Sequence, residues 1–277
     1  MRRWPAIVGV LALLLAACTP AFHVRIPGKV ANHRLSPNPT AAPGAHWVPQ
    51  VGMSWQYQLS GTVATNVDAA VFDIDGVDNS SSTVAALHAA GHRAVCYVDA
   101  GSWEPGRPDS GQFPPGVKGK ALDGWPDERW LDIRQINVLE PIMAARFDVC
   151  RQKGFDAVEA DNVDGYGNDT GFSLSGANQI AYNKLLAGLA HDRGLAIGLK
   201  NDLDQVPTLV GYFDFAVNEQ CNQFNECDTL VPFIRAGKPV FNVEYSGSPA
   251  FYCPAMNARH FSSIRKSLNL DAPRQAC

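Results

Sequence analysis

The sequence has no surplus of positive charge: 23 lysines and arginines stand against 27 aspartates and glutamates. A mildly acidic chain is a poor ligand for a phosphate backbone, so no nucleic acid partner is expected, whereas a cationic partner is tolerated or attracted. Motifs of several common chemistries are missing as well. There is no G-x-S-x-G elbow, no H-E-x-x-H pair and no P-loop. The histidines are scattered. His23, His33 and His46 lie in the N-terminal stretch, and His88, His92, His191 and His260 lie on or beside predicted helices. A Ser-His-Asp arrangement therefore has no local support. No pair of C-x-x-C motifs and no Cys/His cluster has metal-ligand spacing. Neither a metal nor a cofactor is expected. The apolar run Ile7–Leu15 is too short for a stable membrane span.

That run follows Arg2 and Arg3 and ends at Leu15-Ala16-Ala17-Cys18, the pattern of a signal peptide. Small residues directly before a cysteine resemble a bacterial lipobox, which implies cleavage before Cys18 and lipidation of its thiol. The expected organisation is a leader over 1–17, a flexible tether rich in Pro, Ala and His over 18–46, and one domain over 47–277. The product would be exported and lipid-anchored to the cell membrane, facing outward. The leader carries two arginines and no acid, so its loss takes the net charge from −4 to −6. With Cys18 lipidated, six cysteines remain, an even number suited to an oxidising compartment. The favoured pairs are Cys96–Cys150, tying a strand to a helix, Cys221–Cys227, closing a short loop, and Cys253–Cys277, pinning the C-terminus.

Eight short apolar segments read as strands: Trp55–Leu59, Ala69–Asp75, Ala94–Ala100, Arg129–Arg134, Ala157–Val163, Ala196–Asn201, Phe215–Gln220 and Pro239–Tyr245. Helical patterns lie between most of them. Ser82–Ala90, Val138–Lys153 and Ala177–Arg193 each run up to a glycine, a C-cap signal. Apolar strands alternating with helices imply an α/β fold with a covered parallel sheet. Eight such units suggest a (β/α)8 TIM barrel. A doubly wound open sheet ranks second, because no Gly-rich phosphate loop follows the first strand.

In a barrel, sites sit at the C-terminal strand ends. Those ends carry Gln58; Asp73 and Asp75; Tyr97 and Asp99; Asp132 and Arg134; Glu159 and Asp161; Lys200 and Asn201; Asn218 and Glu219; Glu244 and Tyr245. Taken singly, each acid is more readily a helix cap or an ion-pair partner. A whole ring of acids at one rim would repel unless it served a site. Paired carboxylates point to glycoside hydrolysis, one protonating the leaving oxygen and the other acting as nucleophile or base. Trp55, Tyr97, Trp103, Trp125, Trp130, Tyr166 and Tyr245 lie at or near these ends, where flat rings stack on sugar faces. For Trp55 and Trp130, core packing is an equal reading, and Trp103 in the following loop is the better candidate for a site wall.

The strings Trp55-Gln56-Tyr57-Gln58, Phe72-Asp73-Ile74-Asp75, Cys96-Tyr97-Val98-Asp99-Ala100-Gly101, Glu159-Ala160-Asp161-Asn162-Val163-Asp164, Lys200-Asn201, Asn218-Glu219-Gln220-Cys221 and Val243-Glu244-Tyr245 together resemble glycoside hydrolase family 114, the endo-α-1,4-polygalactosaminidases. The resemblance implies a (β/α)8 barrel and hydrolysis of α-1,4-linked galactosamine-rich polymer. It places the two catalytic acids on Asp161 and Glu219. The residues expected to meet substrate are Asp73, Asp75, Tyr97, Asp99, Trp103, Glu104, Glu159, Lys200, Asn218, Glu244 and Tyr245. An acidic rim suits a cationic, partly deacetylated polysaccharide. By analogy with α-specific retaining barrels, Asp161 is the nucleophile and Glu219 the acid/base, and Glu219 is expected to be the more buried or acid-crowded carboxyl. A monomer is expected. A surface lipoprotein that binds glycan without cutting it, and a glycosidase of other specificity, remain as alternatives.

Overall fold

The computed structural model describes residues 46–277; the leader, Cys18 and all but the last residue of the tether lie outside the described residues. Eight parallel strands form the barrel: β1 (Trp55–Gln58), β2 (Val71–Asp75), β3 (Arg93–Asp99), β4 (Ala157–Asp161), β5 (Ala196–Lys200), β6 (Phe215–Glu219), β7 (Val240–Glu244) and β8 (Ser262–Arg265). Each neighbours the next in chain order, as right-handed β-α-β crossovers require. The crossovers carry α1 (Ser81–Ala89), α2 (Ile136–Lys153), α3 (Gly176–His191), α4 (Val206–Leu209), α5 (Val231–Arg235) and α6 (Pro249–Ala258). Ser80 caps α1 by accepting from the Thr83 amide, and Ser175 and Asn178 form a reciprocal capping box on α3. Gly154 ends α2 in the left-handed conformation, with φ 91°.

The eighth strand differs from expectation. Arg129–Arg134 does not join the barrel. Its first residues belong to Trp125–Leu131, which pairs antiparallel with Lys118–Leu122 and Ser102–Trp103 in a small sheet inserted between β3 and α2. Asp132 and Arg134 follow that sheet and pair with each other at 2.7 Å, away from the barrel rim. The true closing strand is β8, whose Ser262-Ser263-Ile264-Arg265 offers a single large apolar residue and gave no strand signal. It pairs with β7 and, antiparallel, with Gln275–Ala276. The seam between β8 and β1 is held by side chains on main-chain oxygens. Trp55 Nε1 donates to the Ser262 carbonyl at 2.8 Å, Arg274 Nη1 to the Trp55 carbonyl at 2.7 Å, and Gln56 Nε2 to the Ala272 carbonyl at 2.7 Å.

Strand alternation splits the apolar residues into two cores. The barrel lumen holds Trp55, Tyr57, Val71, Val95, Ala157, Ala196, Phe215, Val217, Phe241, Val243 and Ile264. The second core lies between the strands and helices and includes Phe72, Ile74, Val158, Ala160, Ile197, Leu199, Leu139, Phe147 and Leu186. Gly198 is required by the first: a Cβ there would stand 2.3 Å from the Phe215 ring. All three favoured disulfides are present, with Cys96–Cys150 joining β3 to α2.

At the N-terminal end of the strands, His46 is docked, although it was expected to close the tether. Its Nε2 lies 3.0 Å from Asp214 Oδ1, and His191 Nε2 lies 2.9 Å from Asp214 Oδ2. The two imidazoles stack with centroids 4.6 Å apart.

Candidate active site

The luminal side chains of β4, β5 and β6 converge above the apolar filling. On β4, Ala157, Glu159 and Asp161 alternate inward; on β6, Phe215, Val217 and Glu219 do so. Lys200 ends β5 between them, 1% exposed. Its Nζ lies 2.7 Å from Glu159 Oε1, 3.2 Å from Asp161 Oδ1 and 3.6 Å from Glu219 Oε2. Burial works to lower the Lys200 pKa, but Asp161, Glu159 and Glu219 together outweigh it and hold the ammonium charged, well above the ordinary lysine value. Lys200 also donates to Tyr57 Oη at 3.0 Å, and Tyr57 Oη donates to Glu159 at 3.1 Å. Burial first, then the surrounding carboxylates, raises the Tyr57 phenol well above its usual range, so it stays a donor.

The two acids named by the family resemblance are held differently. Asp161 receives Tyr97 Oη on Oδ2 at 2.8 Å, the Asn162 amide on Oδ1 at 2.8 Å, and Lys200. Glu219 receives Tyr245 Oη on Oε1 at 2.5 Å and Asn201 Nδ2 on Oε2 at 3.3 Å, with Lys200 farther off. Asn201 Oδ1 accepts from the Glu219 amide and from Asn218 Nδ2, which fixes the turn that carries Glu219. Asn162, Asn201 and Gln220 all adopt positive φ, between 49° and 65°, directly after β4, β5 and β6. For asparagine the left-handed region is accessible; for glutamine it is strained. The burial expectation is reversed: the Glu219 side chain is 28% exposed and that of Asp161 17%. Acid crowding also falls on Asp161, whose neighbours are Asp99, Glu159 and Asp164.

Of the residues expected to meet substrate, Tyr97, Lys200 and Tyr245 surround the two acids directly. Asp73, Asp99 and Glu159 lie behind them, each no more than 2% exposed. Asp73 Oδ1 and Glu159 Oε2 are enclosed with no other partner. Burial, then the charge of Glu159, raises Asp73 well above the carboxylate range, so Asp73 holds a proton toward Glu159. Asp99 accepts from Ser102 and from Asn162 Nδ2 at 3.0 Å, and burial plus Asp161 push it up to about 7. Asp75 does not reach the centre. It accepts the Val77 and Asp78 amides and pairs with Arg107 at 2.8 Å. Glu104 pairs with the same Arg107 at 2.7 Å. Glu244 and Asn218 occupy the alternate, outward phase of their strands. Glu244 accepts the Asn222 amide at 2.9 Å, and Asn218 Oδ1 accepts the Cys221 amide at 3.1 Å, so both hold the loop after Glu219. Trp103 is no free wall: its Nε1 donates to the Ser110 carbonyl and Lys118 Nζ sits 4.4 Å over the ring.

Sequence reading missed Tyr57, Asn162 and Asp164. Asp164 is partly buried and pushed up to about 6, first by burial and then by Asp161. Luminal parity singles out Tyr57, which stands two residues after the luminal Trp55. Among the described residues, His46, His191 and Asp214 have donor atoms close enough to share a metal. Both Nε2 positions already meet Asp214, and His46 Nδ1 has no acceptor of the kind a metal-bound imidazole requires. The trio is a hydrogen-bonded clasp on Asp214, with His46 Nδ1 left unpartnered.

The model of Glycoside-hydrolase family GH114 matches residues 36–277. Among solved structures, Aspergillus fumigatus Ega3 in complex with galactosamine superposes with TM-score 0.80 and 42% identity, over 84% of this chain and 98% of that one. The glycoside hydrolase domain of Pseudomonas aeruginosa PelA superposes with TM-score 0.64 at 11% identity, over 82% of this chain and 99% of that one, a likeness of fold. No curated protein matches the sequence.

Proposed function

The chain belongs to Glycoside-hydrolase family GH114 and is a glycoside hydrolase, and from that premise we propose that it cleaves internal α-1,4 bonds of galactosamine-containing polysaccharide. The observation that carries the reading is one buried ammonium, Lys200, shared by Asp161 and Glu219 at 3.2 and 3.6 Å. That contact gathers both carboxyls on one cation, and the retaining assignment rests on the analogy with α-specific retaining barrels. Asp161, oriented by three donors, attacks the anomeric carbon. Glu219, assigned as acid/base by analogy with α-specific retaining barrels, gives its proton to the departing glycosidic oxygen. In the second half-reaction Glu219 takes a proton from water, the water oxygen attacks the anomeric carbon, and the bond to Asp161 breaks.

The surplus of acids also supports a cationic, deacetylated substrate, in keeping with the galactosamine bound by Ega3. Release of reducing ends from de-N-acetylated galactosaminogalactan tests the reading. Asp161→Asn and Glu219→Gln should each lower it by about 10²–10⁴-fold with the fold retained. Near-wild-type activity in either variant would exclude that residue. NMR of the first product should show the α-anomer, and a β-anomer would exclude retention. We also propose export and lipid anchoring at Cys18, on the lipobox-like Leu15-Ala16-Ala17-Cys18. Cys18→Ser should then release the protein from membranes, and unchanged membrane retention would refute the anchor.

A further inference from the structure

The sheet inserted between β3 and α2 leaves the barrel on the catalytic face, because it follows a strand's C-terminal end. It forms an open cavity of about 240 Å³ lined by Glu104, Pro105, Trp125, Pro126, Asp127 and Glu128. Trp125 follows the hairpin turn Asp123-Gly124 and is 61% exposed. A free indole face beside two rigid prolines offers a platform whose apolar area is recovered when a flat ring covers it.

The charges around it are unevenly paired. Arg107 is divided between Glu104 and Asp75. Arg129 directs Nη1 at the carbonyls of Pro126 and Glu128, at 2.6 and 2.8 Å. Asp127 has no partner among the described residues. Glu128 faces Ser102 Oγ at 3.0 Å and the Asp99 carboxyl beyond it. The same hydroxyl lies against Asp99, so its single proton serves one of the two carboxyls at a time; Asp99 in turn accepts from Asn162, the neighbour of Asp161. The cavity therefore borders, through Ser102 and Asp99, the loop that follows Asp161.

We propose that this cavity is a distal subsite for a protonated amino-sugar unit, with the Trp125 ring beneath the sugar face and Asp127 and Glu128 receiving the ammonium. The proposal rests on the galactosamine reading above and adds a second contact, which only longer chains reach. Short oligomers bind at the Lys200 centre alone, and a longer chain extends along the insertion.

The test compares wild type, Trp125→Ala, Trp125→Phe and Asp127→Asn on deacetylated galactosamine oligomers of increasing length. The ratio of long-chain to short-chain kcat/KM should fall about three- to tenfold in Trp125→Ala, the range expected for one lost stacking partner, and largely recover in Trp125→Phe. Asp127→Asn should reduce the preference for deacetylated over acetylated long oligomers. Equal losses on short and long oligomers, or none, would overturn the subsite. Calorimetric binding of the long oligomer to Asp161→Asn, with and without Trp125→Ala, separates the two readings. If wild type cuts no such oligomer but Trp125→Ala weakens binding, the assigned reaction falls and the subsite stands. If Trp125→Ala leaves binding unchanged, the subsite falls whether or not the polymer is cut.

Discussion

The two ends of the barrel carry inverse charge clusters. At the C-terminal end one cation, Lys200, is shared by three carboxylates. At the N-terminal end one carboxylate, Asp214, is shared by two imidazoles and the Ile197 amide. Burial would raise the Asp214 pKa, but the His191 and Ile197 hydrogen bonds, with His46 behind them, outweigh it and hold the group below its ordinary value. In the lower cluster both carboxylate oxygens are satisfied. The upper one is overdrawn in negative charge, with two acids still reaching solvent. Equivalent ingredients make a fastener when donors suffice and a reactive site when they fall short.

The comparison breaks most readily at Lys200. Lys200→Met keeps length and removes charge, leaving buried carboxylates without their partner. Stability should fall by about 3–5 kcal/mol, measured by urea unfolding near neutral pH. The deficit should shrink as pH is lowered and the carboxylates protonate. For Lys200 itself, a raised pKa means its contribution is full below the unfolded lysine value of about 10.4 and is lost only as pH rises through the higher folded value. A variant as stable as wild type would show that the acids do not depend on the lysine.

Smaller effects should follow at the tyrosines. Tyr97 donates to Asp161 and Tyr245 to Glu219. A hydrogen bond to a charged group contributes ~1.5–3 kcal/mol, so either phenylalanine variant should lose about ten- to a hundredfold in kcat/KM. The pH profile separates the roles. Tyr97→Phe withdraws a donor from Asp161, the proposed nucleophile, and should move the acidic limb upward. Tyr245→Phe should move the basic limb upward. The opposite pattern would exchange the assignments of Asp161 and Glu219.

The upper cluster was partly readable in advance because the period of two that marks a strand also decides which side chains share its lumen. Glu159 and Asp161 stand in phase with Ala157, and Glu219 with Phe215 and Val217, so sequence parity already points them inward. The same parity points Glu244 and Asn218 outward, and applying it would have removed both from the substrate-facing set. Position at a strand end was too coarse a criterion, since the buried Asp73 and Glu159 end up serving Lys200 rather than substrate. The strand over Arg129–Arg134 misled because Trp130, Leu131 and Ile133 imitate a barrel strand, whereas Asp123-Gly124 marks a hairpin. β8 was illegible because its neighbours and side-chain clamps, not its own residues, make it a strand. Parity alone does not select Asp161 and Glu219 from the other luminal acids; that selection came from the family resemblance.

The smallest effect tests the lower cluster. His191→Ala or Asp214→Asn should cost about 1–3 kcal/mol of stability, the range for hydrogen bonds to a charged group, and leave kcat unchanged because neither residue approaches Lys200. The pH dependence follows from the sign of the Asp214 shift. A carboxyl whose pKa is depressed on folding contributes stability above its unfolded value of about 3.9, and that contribution is lost as pH falls through the lower folded value. Wild type should therefore exceed Asp214→Asn in urea midpoint at pH 6, and the gap should close as pH falls through the depressed folded value. A constant gap down to acid pH would mean that the clasp holds by shape, through the stacked imidazoles, rather than by charge. A change in kcat would mean that the two ends of the barrel are coupled.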